Sequence, residues 1–422
     1  MKFFKVFLFL GVLFCSFESF AAKEEVVVPQ EYKVWLKDLK KEMISRGISK
    51  KTIKKAFKRD YYNPASEAVS KDQKQPEFVM TSTDYLNRVI SKNKVETARQ
   101  KYKDLYPLFK DMEKKYNVPV NYLIAFWAME SNFGSNFGNH EIIESLTQLS
   151  HNPRRSAFFR EELYQALKIM DTYDIAPEDM KGSWAGAMGH FQFMPSTFNN
   201  YAVDYDGDGY IDIWHKFEDA IASAANYLTQ IGWKKNEPWG MEISTTYRFD
   251  YANSGINNVK PIGEWTKLGV RDVDGKQIKL NEQVYGSVIF PEGRKGKAYL
   301  VLNNFRKIMI WNRSENYALA VSKMADYIVS KKEWKEEEKN QAVVLKTDDV
   351  LQIQKFINRL GFVSLDEDGM FGSKTRQAIQ QLQKKAMMPQ DGYPNYQLLN
   401  KINKYNPEIG FAVPLQPKKS NK

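Results

Sequence analysis

Leu123, Phe126, Trp127 and Glu130 recur at i, i+3, i+4 and i+7, the spacing of one helix face. Three of the four are large and apolar, and the fourth is a carboxyl on the same side. A charge held against such a face is costly, so the group tends to keep its proton, with its pKa raised. A protonated carboxyl at neutral pH is what a general acid must be. The same residue also reads as a core glutamate bonded to a neighbouring backbone group. Asn132 and Gly134 follow, so the helix is expected to stop just past the carboxyl and leave it at a cleft edge.

Two more stretches carry chemistry. In Gly182–Thr197 the small residues allow close backbone approach, which suits a groove wall. Ser183 and Gln192 can hydrogen-bond a sugar, and Phe191, Phe193 and Met194 can lie against its apolar face. Tight packing ahead of a helix started by Pro195 fits the same residues equally well. In Asp204–Asp212, acidic oxygens stand at positions 1, 3 and 5, Gly at 6 and an apolar residue at 8. That is the first part of an EF-hand loop and suits Ca²⁺. Position 12 is His215 rather than Glu, so closure falls to Glu218 or Asp219 in a longer loop. An Asp/Gly turn without metal is the alternative.

The elements that must position these residues are mostly helical. Glu31–Arg46 is amphipathic and ends at Gly47; Ser49 caps a second helix to Phe57. Residues 60–80, with Pro64 and Pro76, read as loop, and Thr83–Tyr116 as helix. Helices follow over Ile142–Leu149 and Ala157–Asp171, separated by Asn152-Pro153. Residues 241–303 favour short strands and read as a β-rich insertion. Helix returns over Tyr317–Val329. A charged linker occupies 336–346, and Val350, Ile353, Ile357 and Leu360 open a separate domain over 347–405. The tail from 406 reads as loose.

Composition bounds the function. The chain has 422 residues, 43% hydrophobic and 14% aromatic, which is globular rather than disordered. The aromatic share suits a long polar substrate that stacks on rings. The net charge of +11 favours polyanions, but the lysines are scattered and no nucleic-acid motif is present. The only cysteine, Cys15, excludes an intrachain disulfide, and the four histidines lack ligand spacing. Lys2 and Lys5, the apolar run Phe3–Phe14 and the small residues Ser19 and Ala21 form a signal peptide over 1–21, cleaved before Ala22. Phe14 disfavours lipidation of Cys15, and no later stretch reads as a membrane span. The expectation is a soluble, exported protein.

Taken together the motifs resemble the lytic murein transglycosylase B family. The resemblance rests on Glu130–Gly134, Pro153–Arg155, Gly182–Ser196, the Asp204 loop, Ala225–Leu228 and Asn312–Tyr317, in order over residues 30 to 330. It implies a lysozyme-like, mainly α catalytic domain over 22–335. It implies cleavage of the β-1,4 bond between N-acetylmuramic acid and N-acetylglucosamine in peptidoglycan, without water, leaving 1,6-anhydromuramyl ends. Glu130 would be the single acid/base. Ser183, Gln192, Asn312 and Tyr317 would contact glycan, with Met188, Phe191, Tyr227 and Trp311 beside them. Structural Ca²⁺ would sit on Asp204, Asp206, Asp208, the Tyr210 carbonyl and Asp219. The family also implies the periplasm.

Residues 347–405 resemble a small three-helix peptidoglycan-binding domain, carried by Gln354, Asp368–Gly372, Thr375, Gln383 and Asp391-Gly392. Beside a wall-cleaving domain, such a bundle implies a tether to substrate. Ordinary glycosidases use two carboxylates. Glu141 and Glu144 follow Glu130 only at helical spacing on a polar side, which favours a single-acid mechanism. A hydrolytic muramidase and a non-catalytic wall-binding protein remain the competing readings.

Overall fold

The computed structural model describes residues 27–73, 80–338, 345–405 and 411. The expected signal peptide over 1–21, and the tail apart from Phe411, lie outside these residues. Three apolar cores organise the chain. The largest is helical and is built from α1 (Gln30–Ser45), α2 (Lys50–Ala56), α3 (Glu67–Gln73), α4 (Ser82–Val89), α5 (Lys92–Tyr116), α6 (Val120–Ser131), α7 (Ile142–His151), α8 (Ser156–Tyr173), α9 (Pro195–Tyr201) and α10 (Phe217–Gln230). A β-rich insertion then carries α11 (Ile262–Lys267), after which α12 (Asn303–Trp311) and α13 (Glu315–Val329) return to the helical core. Three further helices, α14 (Thr347–Leu360), α15 (Ser373–Lys385) and α16 (Tyr396–Asn403), close the C-terminal bundle.

A short pair, β1 (His140–Glu141) and β2 (Lys181–Gly182), ties the Gly182 segment to the start of α7. The insertion is one antiparallel sheet of β3 (Gly240–Thr245), β4 (Lys260–Pro261), β5 (Val270–Asp272), β6 (Tyr285–Ile289) and β7 (Ala298–Val301). Its order is β4-β6-β7-β3-β5, with Leu300 opposite both Met241 and Val288. Trp265, fully buried, donates its indole N–H to the Gly286 carbonyl and anchors α11 under this sheet.

The α6 helix runs through the centre of the largest core. Every residue from Val120 to Ala128 is buried, and each such Leu, Ile or Phe contributes about 2 kcal/mol relative to exposure. A helix apolar all round is a core helix. Its last turn, where Met129 and Glu130 emerge, is the part that opens to a cleft.

Two expectations about the N-terminal half are corrected. Residues 60–80 contain a helix, α3. Asp72, almost fully buried, is gripped by Arg154 and Arg155 from the start of α8, so a distant contact holds this short segment. Thr83–Tyr116 is two helices. The chain extends at Ile90, and Ser91 caps α5 by accepting the Lys94 N–H. In 331–338 the chain runs without helix, yet Glu337 is fixed by Lys297 and Lys323.

Candidate active site

Glu130 stands one residue before the C-terminus of α6. The helix ends because Asn132, Phe133 and Gly134 all adopt left-handed backbone, at φ 48°, 59° and 78°. The Phe133 N–H returns to the Trp127 carbonyl, closing the helix end. Ser131 accepts the Gly134 N–H and donates to the His190 carbonyl at 2.7 Å, joining the turn to the Gly182 segment. A Cβ on Gly134 would lie 2.6 Å from His190 Cε1, so only glycine fits. Trp127 donates its indole N–H to His190 Nδ1 at 2.9 Å. Burial pushes the His190 pKa down to about 4, so the ring is neutral and can accept.

Two donors converge on one oxygen of Glu130. Trp311 Nε1, from the end of α12, lies 2.8 Å from Oε1, and the Tyr317 hydroxyl, from the first turn of α13, donates to the same atom. Burial pushes the Glu130 pKa up to about 7, although both donors favour the charged form. Burial outweighs them because the surroundings are aromatic. Trp311 packs at 4.5 Å from Phe126, 5.0 Å from Tyr227 and 5.4 Å from Phe193 between ring centroids. A carboxyl that titrates near 7 can give a proton and later take one back. Burial and these two donors account for its shift, with no second carboxylate among the causes. Glu141 pairs with Arg59, and Glu144 accepts from Gln148.

The Gly182 segment is folded on itself. Ser183 Oγ accepts the N–H groups of Ala185 and Ala187, at 3.3 and 3.0 Å. Met188 and Phe193 exchange both backbone hydrogen bonds at 2.9 Å, making a tight hairpin. Gly182 is indispensable, because a Cβ there would lie 2.0 Å from the Ala187 carbonyl oxygen. Gln192, at the hairpin tip with φ 49°, donates its amide to the carbonyls of Phe137 and Gly189. Its side-chain oxygen remains an acceptor.

The expected glycan contacts differ in how far they reach the surface. Met188 is fully buried and Phe191 is 2% exposed, so both stand behind the groove wall. Phe193 is buried against Trp311 and Tyr227, while Met194 is half-buried. Tyr317 is also buried, and its hydroxyl is committed to Glu130. Asn312 is exposed, and its carbonyl oxygen accepts the Ser314 N–H. Tyr227 is half-buried between Tyr201 and Trp311. Tyr317 and Trp311, expected beside the glycan, address Glu130 directly. Their motif was visible in the sequence, but a hydrogen bond across more than 180 residues was not.

The acidic loop gathers oxygens from Asp204, Asp206 and Asp219, all within 4.8 Å of one another. Asp219, fully buried at the start of α10, accepts the N–H groups of Tyr205 and Asp212 and so closes the loop. Glu218 has no such link among the described residues. Lys216 bridges Asp206, at 2.7 Å, and Asp208. Its ammonium depresses the Asp206 pKa. The donor set suits a hard cation, and a lysine here already supplies positive charge.

Residues 31–326 match the transglycosylase SLT domain family, and 346–402 match the peptidoglycan binding domain family. The membrane-bound lytic murein transglycosylase B of Escherichia coli is 33% identical over 207 residues, 49% of this chain and 56% of that protein. This chain thus spans little more than half the length of that relative. The structure of SltB3 from Pseudomonas aeruginosa, in complex with NAG-anhNAM-pentapeptide, superposes with a TM-score of 0.80 at 35% identity. It covers 89% of this chain and 100% of that one. The Escherichia coli lytic transglycosylase Slt35 in complex with calcium gives 0.61 at 25% identity, covering 69% and 92%. With its SLT match spanning most of its length and a peptidoglycan-binding bundle behind it, this chain belongs to the transglycosylase SLT domain family.

Proposed function

We propose that this chain is a lytic transglycosylase. It cleaves the β-1,4 bond between N-acetylmuramic acid and N-acetylglucosamine in peptidoglycan and leaves 1,6-anhydromuramyl ends. The observation that carries this reading is a single carboxyl, Glu130, with its pKa near 7 and two neutral donors on one oxygen. Protonated Glu130 gives its proton to the leaving glycosidic oxygen as the C1–O bond breaks. The acetamido group of the substrate shields the positive centre. The carboxylate so formed is stabilised by Trp311 and Tyr317. It then takes the proton of the muramyl C6 hydroxyl as that oxygen attacks C1, so the carboxyl is restored and no water is consumed. Ordinary glycosidases divide these tasks between two carboxylates; here one group with a matched pKa serves both.

Ser183, Gln192 and Asn312 offer hydrogen bonds to the glycan, and the rings of Trp311 and Tyr227 offer an apolar face. The C-terminal bundle tethers the enzyme to wall, raising its effective concentration there. Asp204, Asp206, Asp208, the Tyr210 carbonyl and Asp219 would hold a structural Ca²⁺, in keeping with the calcium complex of Slt35. Bound there, the ion would fix the loop between α9 and α10. A periplasmic site of action follows from this reading, because peptidoglycan is the substrate and the family acts on the wall. Among the described residues, no helix is long and apolar enough to cross a membrane.

The test is digestion of purified sacculi by the mature protein. Anhydromuramyl products that disappear in Glu130→Gln support the reading. Products heavier by one water indicate a hydrolytic muramidase. Wall binding without release leaves only a binding protein.

A further inference from the structure

The two donors to Glu130 flank a short turn, Asn312 to Ser314, between α12 and α13. Ser314 caps α13 by accepting the Tyr317 N–H. Asn316 is held by the start of α4: its amide oxygen accepts from Ser82, and its N–H₂ reaches the Met80 carbonyl. Glu315, the first residue of α13, faces the C-terminal bundle. There it meets Arg376 of α15 at 3.8 Å, with side-chain exposures of 14% and 11%. Arg376 also donates to the carbonyls of Phe290 and Pro291, at 3.0 and 2.9 Å, on the loop between β6 and β7. One guanidinium therefore joins all three cores. The interface around it is not continuously packed, because it leaves a partly open pocket of about 70 Å³ bordered by Ser82, Arg313, Glu315, Phe371 and Arg376.

From this we infer that Arg376 is a positioning residue for the reaction. Through its ion pair with Glu315, made from the docked bundle, it holds the first turn of α13 in the place from which Tyr317 reaches Glu130. The bundle thus does more than retain the enzyme on the wall. A planar, always-charged group with several donors suits this junction, because it hydrogen-bonds two carbonyls and keeps its charge within ion-pair distance of a carboxylate. Such a partly shielded pair also resists screening better than a surface pair. The inference rests on Glu130 as the acid. The groups that face Glu130 are Trp311 from α12 and Tyr317 from α13, with Tyr85 of α4 behind Tyr317.

The experiment uses the full mature chain and two substrates, intact sacculi and a short soluble glycan of two disaccharide-peptide units. Tethering cannot matter much for the soluble glycan. With it, Arg376→Met should lower kcat about fivefold and move the alkaline limb of the pH profile upward by about half a pH unit, since donors that retreat no longer favour the carboxylate. Glu315→Gln should move the limb the same way. That direction is diagnostic: removing a nearby negative charge acts purely electrostatically in the opposite sense. Arg376→Lys should recover part of kcat. Gln380→Ala cuts the bundle's hydrogen bond to the Ser254 carbonyl, away from the turn, and should leave kcat and the limb as in the parent.

The inference is overturned if Arg376→Met and Glu315→Gln act only through KM on sacculi while kcat and the limb with the soluble glycan stay fixed. It is equally overturned if the two variants shift the limb in opposite directions. Should Arg376→Met fail to fold, Glu315→Gln decides alone, because it leaves both carbonyl contacts of Arg376 in place. Failure of the acid assignment would look different: Glu130→Gln would then keep its activity.

Discussion

Glu130→Gln should stabilise the protein at alkaline pH and hardly at all in acid. In the unfolded chain a glutamate titrates near 4.5, and in the fold Glu130 titrates near 7. Between these values the folded state keeps a proton that the unfolded chain has released. Stability therefore falls as pH rises through this window and stays reduced above it. At 1.36 kcal/mol per pH unit, the interval amounts to roughly 3 kcal/mol, an upper bound because Glu130 is not wholly sealed from solvent. Glutamine never ionises, and its oxygen still accepts from Trp311 and Tyr317. The variant should match the parent at pH 4 and melt several degrees higher at pH 8.5. Tryptophan fluorescence is a clean probe, since all nine tryptophans lie before the C-terminal bundle. A difference that is the same at both pH values, or larger in acid, would refute the reasoning.

Other outcomes follow from the same geometry. Tyr317→Phe removes a donor that favours the charged form of Glu130; the alkaline limb of kcat/KM should rise by about one pH unit, a hydrogen bond to a charged group being worth about 1.5–3 kcal/mol. An unmoved limb would show that Tyr317 does not govern the acid. Gly134→Ala forces a Cβ against His190 at a left-handed position, and denaturant titration should show a loss of about 2 kcal/mol or more. Millimolar Ca²⁺ should raise the melting temperature against a chelator, and Asp206→Asn should diminish that rise. A melt indifferent to calcium would remove the ion from the account.

What could be read from residue order was what depends on local pattern. The face of α6 and its stop at Asn132 followed from apolar spacing and a residue tolerant of left-handed backbone. The helix opening at Val350–Leu360 and the strand over Tyr285–Ile289 followed in the same way, whereas the three-helix bundle came from the resemblance. What escaped depends on distant partners. α3 exists as a docked helix with Asp72 held by Arg154 and Arg155, and nothing in its seven residues demands a helix. The break at Ile90-Ser91 was hidden because Ser91 caps α5 without a proline or glycine to mark it. At the site, Met188 and Phe191 look like groove residues but serve as the core beneath it. Tyr317 looks like a glycan contact, yet it is buried with its hydroxyl on Glu130, and the Trp311 indole N–H joins it on the same oxygen. Lys216 was unremarkable in sequence, and only the folded loop brings it onto Asp206 and Asp208.

The most direct measurement is mass spectrometry of the fragments released from sacculi by the mature protein and by Glu130→Gln. The account predicts 1,6-anhydromuramyl products from the parent and none from the variant, with the variant folded and still bound to wall. Reducing-end products heavier by one water, or anhydro products that persist in Glu130→Gln, would contradict it.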